Sequence, residues 1–389
     1  MDFSFNEAQK AISELSRKIF KERVTPAALK AVEAEPDWFY RKLWEDLATA
    51  GLLATALPES EGGSGHGLLE LCALLEEAGA AVAPIPLWAV LFLGALPVAE
   101  FGTAEQKHRL LPGIGAGEIL LTAALTEAGM TDPAAPVTTA IPDGSGWLLT
   151  GTKICVPAAH LAHRVLLPAR TGEGSVGVFL LDPHTPGVRR ERQIATTGEP
   201  LSQLTFSGAR VAEADVLGDP HQGAAIVDWI VQRATVGLCA LELGVAERAL
   251  AMTASYTGSR MQFERPIATF QAVGQRAADA YIDVEAIRLS LWQAAFRLSQ
   301  GLPASQSIAI AKFWAAEGGH RVVYAAQHLH GGLGFDRDYP LHRHYLWSKQ
   351  IELTLGSAEA QLARLGAELA GQGPEPTRGL PPSTTVQRT

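Results

Sequence analysis

The sequence predicts an α+β multidomain protein: an N-terminal helical domain, a central antiparallel β-domain and a C-terminal four-helix bundle. Three observations predict it. Apolar positions recur at helical spacing from residue 5 to about 118, short β-rich runs replace them from about 121 to 220, and helical periodicity returns in four long segments after Ala224.

The first domain is assigned to residues 1–120. Strings such as "AQKAISELSRKIF" and "LLELCALLEEAG" place apolar residues three and four apart, and "PESEGGSGHG" punctuates them as a loop. The second, 121–222, contains "GWLLTGTKICV", "HRVLLPAR", "VGVFLLD" and "LSQLTFSGARV", separated by Gly, Pro, Asp and Thr. The third, 223–371, holds helical segments at about 224–257, 270–300, 304–330 and 341–370, whose short connections make a bundle. The Pro/Thr/Gly-rich tail 372–389 has little to bury and is expected to be disordered.

Composition narrows the function classes. The 389 residues carry a formal charge of −9 and no Lys/Arg block, so a nucleic-acid partner is not expected. Cys72, Cys155 and Cys239 stand far apart without a CxxC pair, which fits a reducing cytoplasm. The start "MDFSFNEAQKAISELSRKIF" lacks the basic and apolar regions of an export signal. Ala78 to Ala99 is long and apolar enough to raise a membrane span, but Pro84, Pro86 and Pro97 interrupt it, so a buried core segment is expected.

Several motifs lead nowhere. Gly172, Gly174 and Gly177 match GxGxxG, yet a strand-like run follows where a dinucleotide fold needs a helix, so they read as a hairpin turn. His328, His330, His342 and His344 form two HxH pairs, and residues two apart on a helix face different ways, so no metal is expected.

Five strings in order resemble the acyl-CoA dehydrogenase family of flavoproteins over nearly the whole chain to about 370. "SRMQFERPIATFQ" (259–271) is similar to that family's Arg-x-x-Phe-Gly-x-Pro-Ile followed by Phe-Gln, and "QHLHGGLGF" (327–335) to its Gln-x-x-Gly-Gly-x-Gly. "PESEGG" (58–63), "ALTE" (124–127) and "LTFSGARVAEADVLG" (204–218) support it. The resemblance implies FAD, an acyl-CoA substrate and electron-transferring flavoprotein as acceptor. It implies cofactor contacts from Arg260, Phe263, Gln271, Gln327, Gly331 and Gly332, reaching across a subunit interface, and from Thr126 in the β-domain. These residue types suit a dinucleotide, since they offer an arginine fork for a pyrophosphate, an aromatic wall, glycines that let backbone approach phosphate oxygens, and a side-chain amide.

The departures from the family are equally specific. Leu355 stands where the family places its base in a Tyr-Glu-Gly-Thr-like string. Gln232, before Arg233, fills the alternative position, and neither residue can take a proton. The Trp-Ile-Thr string against the flavin becomes Cys155 to Pro157, the loop after Glu127 is shortened to "AGMTD", and Glu264 replaces a glycine. Residues that would hold flavin in this chain's own site are eroded, while those that would reach a partner's site survive. That pattern resembles the complementary subunit of heteromeric steroid side-chain acyl-CoA dehydrogenases, which implies a homologous dehydrogenase chain as partner. The alternatives are a self-sufficient homotetramer with a relocated base, for which Glu352, Glu359 and Asp228 are candidates, and an inactive scaffold of the same fold.

Overall fold

A computed structural model describes residues 5–371; the expectation for the tail 372–389 lies outside the described residues. Six helices precede the sheet: α1 (Glu7–Arg23), α2 (Pro26–Ala34), α3 (Arg41–Thr49), α4 (Leu68–Ala81), α5 (Leu96–Phe101, entered through a π-turn at Ala89–Ala95) and α6 (Ala104–Gly115). Their starts are written in the sequence. Asn6 and Gln9 cap α1 reciprocally, Thr25 and Pro26 open α2, and Thr103 with Gln106 boxes the start of α6.

The central strands are β1 (Leu121–Ala123), β2 (Thr139–Pro142), β3 (Gly146–Pro157), β4 (Arg164–Gly172), β5 (Ser175–Leu181), β6 (Val188–Ile194), β7 (Pro200–Ala212) and β8 (Val216–Leu217). They form one sheet in the order β6-β7-β3-β2-β4-β5-β8. Hairpin-related neighbours are antiparallel, as expected, and β4 additionally pairs in parallel with β1 and with β2. Alternation sorts the side chains: Leu166, Val178 and Leu180 join the helical core, whereas Val165, Leu167, Phe179 and Leu181 pack with Trp147 and Phe206 on the other face. The Gly172–Gly177 stretch spans the β4–β5 hairpin, with Gly174 (φ +69°) in its turn and Gly177 already within β5.

The bundle comprises α7 (Gly223–Ser259), α8 (Gln271–Ser299), α9 (Ser305–Phe313), α10 (Gly319–His330), α11 (Leu341–Leu353) and α12 (Ala358–Gly371), with a short hairpin of β9 (Met261–Gln262) and β10 (Arg265–Pro266) between α7 and α8. Two expected helices are interrupted. The 304–330 segment contains a π-turn at Trp314–Gly318. The 341–370 segment is not continuous but two helices, because Leu355 (φ +56°) and Gly356 (φ +99°) take left-handed conformations that a helix cannot carry. Nothing in the apolar spacing of "IELTLGSAEAQ" announces the break.

Helix α7 is the spine. It lies so close to α4 that a Cβ at Gly244 would meet Glu76 O at 1.9 Å, and one at Gly79 would meet Leu241 O at 2.1 Å. Among the described residues α7 is also the one helix long and apolar enough to cross a membrane, and 67% of its most apolar window is buried inside the protein. Ion pairs fasten the outer helices: Arg17 to Glu77 joins α1 to α4, and Arg343 to Glu33 joins α11 to α2.

Candidate functional site

A cavity of about 890 Å³ opens where the N-terminal helices, the sheet and the bundle meet. Its apolar wall includes Trp38, Trp88, Trp347, Leu238 and Leu241; its polar side includes Thr126, Glu127, Glu199, Asp228 and Arg364. Leu355, Cys155 and Pro157, three of the eroded positions, line it too, whereas Gln232, Val156 and Glu264 do not. Those three and Met130 to Asp132 of the shortened loop meet in the cavity.

Each position has a local cause. Cys155 sits at φ +53° on a bulge of β3 between Lys153 and Val156, its N–H donating to Gln193 Oε1 at 2.8 Å. Alternation in "GWLLTGTK" points Lys153 inward, where its buried Nζ lies 2.7 Å from Glu127 Oε1. Burial alone would push the Glu127 carboxyl up, but hydrogen bonds from Lys153, Thr138 and Val137 together with the lysine charge hold it below the usual range. Glu127 accepts from Val137 N at 2.6 Å and Thr138 N at 3.0 Å, which pins the shortened loop. Thr126 is exposed into the cavity, and its carbonyl accepts from Ile154 N at 2.9 Å.

The Leu355 turn is held from below. Fully buried Lys312 donates to Ile351 O at 2.6 Å and Glu352 O at 3.2 Å, satisfying carbonyls at the end of α11. Gln361 Nε2 donates to Leu355 O at 3.1 Å. Sequence reasoning missed this lysine and a second network, in which Thr197 donates to Gln350 Oε1 and Gln350 Nε2 donates to Glu199 Oε2, both at 2.6 Å. The pairs join segments about 150 residues apart, and no local spacing marks them.

The three candidate bases separate. Asp228 lines the cavity, and burial with Asp132 pushes its carboxyl up against the opposing charge of Arg364. Glu352 is paired with Lys349 beside His320, and Glu359 accepts from Ser357 at the start of α12; neither lines the cavity. Arg233 stacks its guanidinium 3.7 Å from the Trp229 ring centroid, and burial lowers its pKa to about 10.

The other predicted cofactor residues lie elsewhere. Arg260, Phe263, Gln271, Gln327, Gly331 and Gly332 all belong to one end of the bundle, at the C-terminus of α7, the N-terminus of α8 and the C-terminus of α10. None of the six lines the cavity, so they are separated from Thr126. Tyr256 stacked on His330 and Arg276 bonded to His328 bind these helix ends together. Phe263 is 87% exposed at the tip of the β9–β10 hairpin, whose two turn residues, Phe263 (φ +50°) and Glu264 (φ +63°), are both left-handed. Arg260 is exposed and makes no ion pair among the described residues. Gly331 (φ +61°, ψ −137°) and Gly332 have nothing within 4 Å of where a Cβ would stand, and Gly334 is required because its Cβ would meet Gln327 O at 2.9 Å. Gln327 is buried and donates to Gly334 O at 3.3 Å.

The histidines are structural. His330 bonds Tyr339, and His344 reaches Ala80 O. Among the described residues no three His, Cys, Asp or Glu side chains converge to hold a metal.

Comparison with known proteins agrees over most of the described length. Family models for the acyl-CoA dehydrogenase N-terminal, middle and C-terminal domains match residues 6–118, 122–209 and 221–370. The chain is 40% identical to the acyl-CoA dehydrogenase FadE27 of Mycobacterium tuberculosis, covering 95% of this chain and 99% of that one. It superposes with a TM-score of 0.90 on a chain of the ChsE4-ChsE5 complex from Mycobacterium tuberculosis (40% identity; 95% and 99% covered). A Tcur3481-Tcur3483 steroid ACAD gives 0.88 at 46% identity, with 94% and 98% covered. The chain thus belongs to the acyl-CoA dehydrogenase family of FAD-dependent oxidoreductases.

Proposed function

We propose that this chain is the complementary subunit of a hetero-oligomeric, FAD-dependent acyl-CoA dehydrogenase, and that it gives half of a cofactor site to a homologous partner chain. One observation carries the reading. Five of the six residues at the bundle end are exposed, all but Gln327, while the chain's own cavity has Leu355 at the position of the family base and Cys155 and Pro157 at the position of the flavin wall.

The donated set fits a dinucleotide. Arg260 can place an unpaired guanidinium against a pyrophosphate, Gly331 and Gly332 leave room for phosphate oxygens at the backbone, and Phe263 offers an exposed aromatic face. Gln271 and Gln327 add side-chain amides from the α8 and α10 ends. Bound FAD supplies the hydride acceptor for α,β-dehydrogenation of an acyl-CoA thioester. The α-proton is then removed by a base of the partner chain, because Leu355 and Gln232 have none to offer. Electron-transferring flavoprotein is the acceptor we assign from the family. Both similar structures named above carry the names of two components, which supports a hetero-oligomer, and three unpaired cysteines support a cytoplasmic setting.

A second reading, a self-sufficient enzyme with a relocated base, rests on Asp228, the one of the three candidates that lines the cavity. Flavin stoichiometry separates the two. The chain purified alone should hold almost no flavin, and co-purified with a homologous companion chain about one flavin per pair. One flavin per chain in the solitary protein overturns the half-site reading and directs attention to Asp228.

A further inference from the structure

Protein interiors pack like organic crystals, and a chamber that had merely lost its cofactor would be free to fill with larger side chains or to collapse. The cavity of this chain has done neither. Its volume of about 890 Å³ is lined by three tryptophans and four prolines. Small-molecule sites occupy about 300–1,000 Å³ and combine apolar walls with a few placed polar groups. Trp88 is anchored by donation of its Nε1–H to Ala234 O at 2.9 Å, and Trp38 and Trp347 pack with centroids 6.2 Å apart. Such stiff walls suit a rigid ligand.

The charges disfavour a nucleotide. Glu127 is neutralised by Lys153, which leaves Asp132, Asp228 and Glu199 on the lining against Arg364. A pyrophosphate would meet like charges, whereas an uncharged molecule would not. Glu199 also has a free hydrogen-bonding position. Gln350 donates to its Oε2, and Oε1 takes no hydrogen bond from the described residues. Burial pushes the Glu199 carboxyl up against the bond from Gln350, so it lies in a poorly hydrated place where a donor is in demand.

We infer that this chain's own cavity is a second, non-catalytic binding site for an uncharged, rigid, polycyclic molecule whose hydroxyl donates to Glu199. The inference rests on the reading that this cavity holds no flavin. Its ligand is held by the indole walls and oriented by the Thr197–Gln350–Glu199 chain of hydrogen bonds.

The test uses the purified hetero-oligomer, with flavin per pair of chains measured first. Radiolabelled testosterone, a neutral tetracyclic alcohol, is then titrated by equilibrium dialysis into wild type and into assemblies carrying Glu199→Leu or Ala195→Trp in this chain. Ala195 lines the cavity from a loop, so a bulky substitute fills the chamber without entering the helical core. The expected result is one saturable site per copy of this chain, weakened about tenfold by Glu199→Leu and abolished by Ala195→Trp, with flavin content and turnover unchanged. Absence of saturable binding, or equal affinity in wild type and Ala195→Trp, overturns the inference even if Glu199→Leu folds poorly. Flavin at one per chain overturns the half-site reading instead, so the two failures are distinguishable.

Discussion

Tyr256 and His330 stack with ring centroids 4.4 Å apart and planes 16° from parallel, clamping the end of α7 to the end of α10. Arg260 lies one turn beyond the tyrosine and Gly331 immediately after the histidine, so this pair sets the spacing of the two halves of the donated cradle. Tyr256→Ala should cost about 2 kcal/mol of stability and also weaken flavin retention by the hetero-oligomer. Thermal unfolding and flavin release on dilution read the two effects separately. A destabilised variant that retains flavin like wild type would refute the positioning role.

The hairpin between them carries visible strain. Phe263 and Glu264 are both left-handed, and only the second stands where the family has glycine. A non-glycine residue in that region costs about 1–2 kcal/mol, partly offset by the extra freedom glycine brings to the unfolded chain. Glu264→Gly should therefore stabilise the protein by about 1 kcal/mol, measured by urea denaturation. A loss of stability would show that the glutamate makes a compensating contact in the assembly.

At the α4–α7 crossing the prediction is steeper. The Cβ of Gly244→Ala would sit 1.9 Å from Glu76 O, and the atoms it meets are backbone, so the helices must separate. Overpacking of this kind costs about 3 kcal/mol or more. Because α7 also forms part of the cavity wall, the same variant should lose the binding proposed for that cavity. Gly258→Ala, with nothing within 4 Å, serves as the control and should be tolerated.

How far the sequence reached follows from which forces act locally. Periods of 3.6 and 2 are local, so the helix–sheet–helix order was legible. The break at Leu355 was not, because a leucine forced into a left-handed turn by Lys312 and Gln361 beneath it leaves the apolar spacing unchanged. Lys153 was within reach, since strand alternation turns it inward and a buried lysine demands a carboxylate such as Glu127. The Glu199–Gln350 bond was out of reach, because only the packing of α11 against the sheet brings those side chains together.

His344 gives one part of the pH dependence, opposed by Glu242 and Glu76, whose carboxyls burial pushes up to about 8 and about 7, so that their contribution is lost as pH rises. Burial lowers the His344 pKa from 6.5 to about 4, despite the nearby carbonyls of Ala80 and Pro340, with Arg248 and His342 adding to the depression. The folded value lies below the unfolded one. Its contribution is therefore fully present above pH 6.5 and lost as pH falls through about 4, amounting to roughly 3 kcal/mol. His344→Gln should lower stability at pH 7.5 yet flatten the profile between pH 6.5 and 4. A variant with the wild-type slope would assign acid lability to another group.

Leu355→Glu distinguishes a donating subunit from a self-sufficient enzyme. The substitution restores a carboxylate at the cavity wall, where the turn already points residue 355 into the chamber and Lys312 fixes the end of α11 behind it. In a chain that held its own flavin, a base returned to this position would raise turnover by the orders of magnitude that general-base catalysis contributes. In a chain whose cavity lacks flavin, the proton has no hydride acceptor opposite it, and turnover of the hetero-oligomer should stay within about twofold of wild type. The expectation here is the second outcome, read as acyl-CoA-dependent reduction of a dye acceptor at saturating substrate. A large gain would mean that the chain's own site was one residue from competence, and Asp228 would then be the next carboxylate to replace.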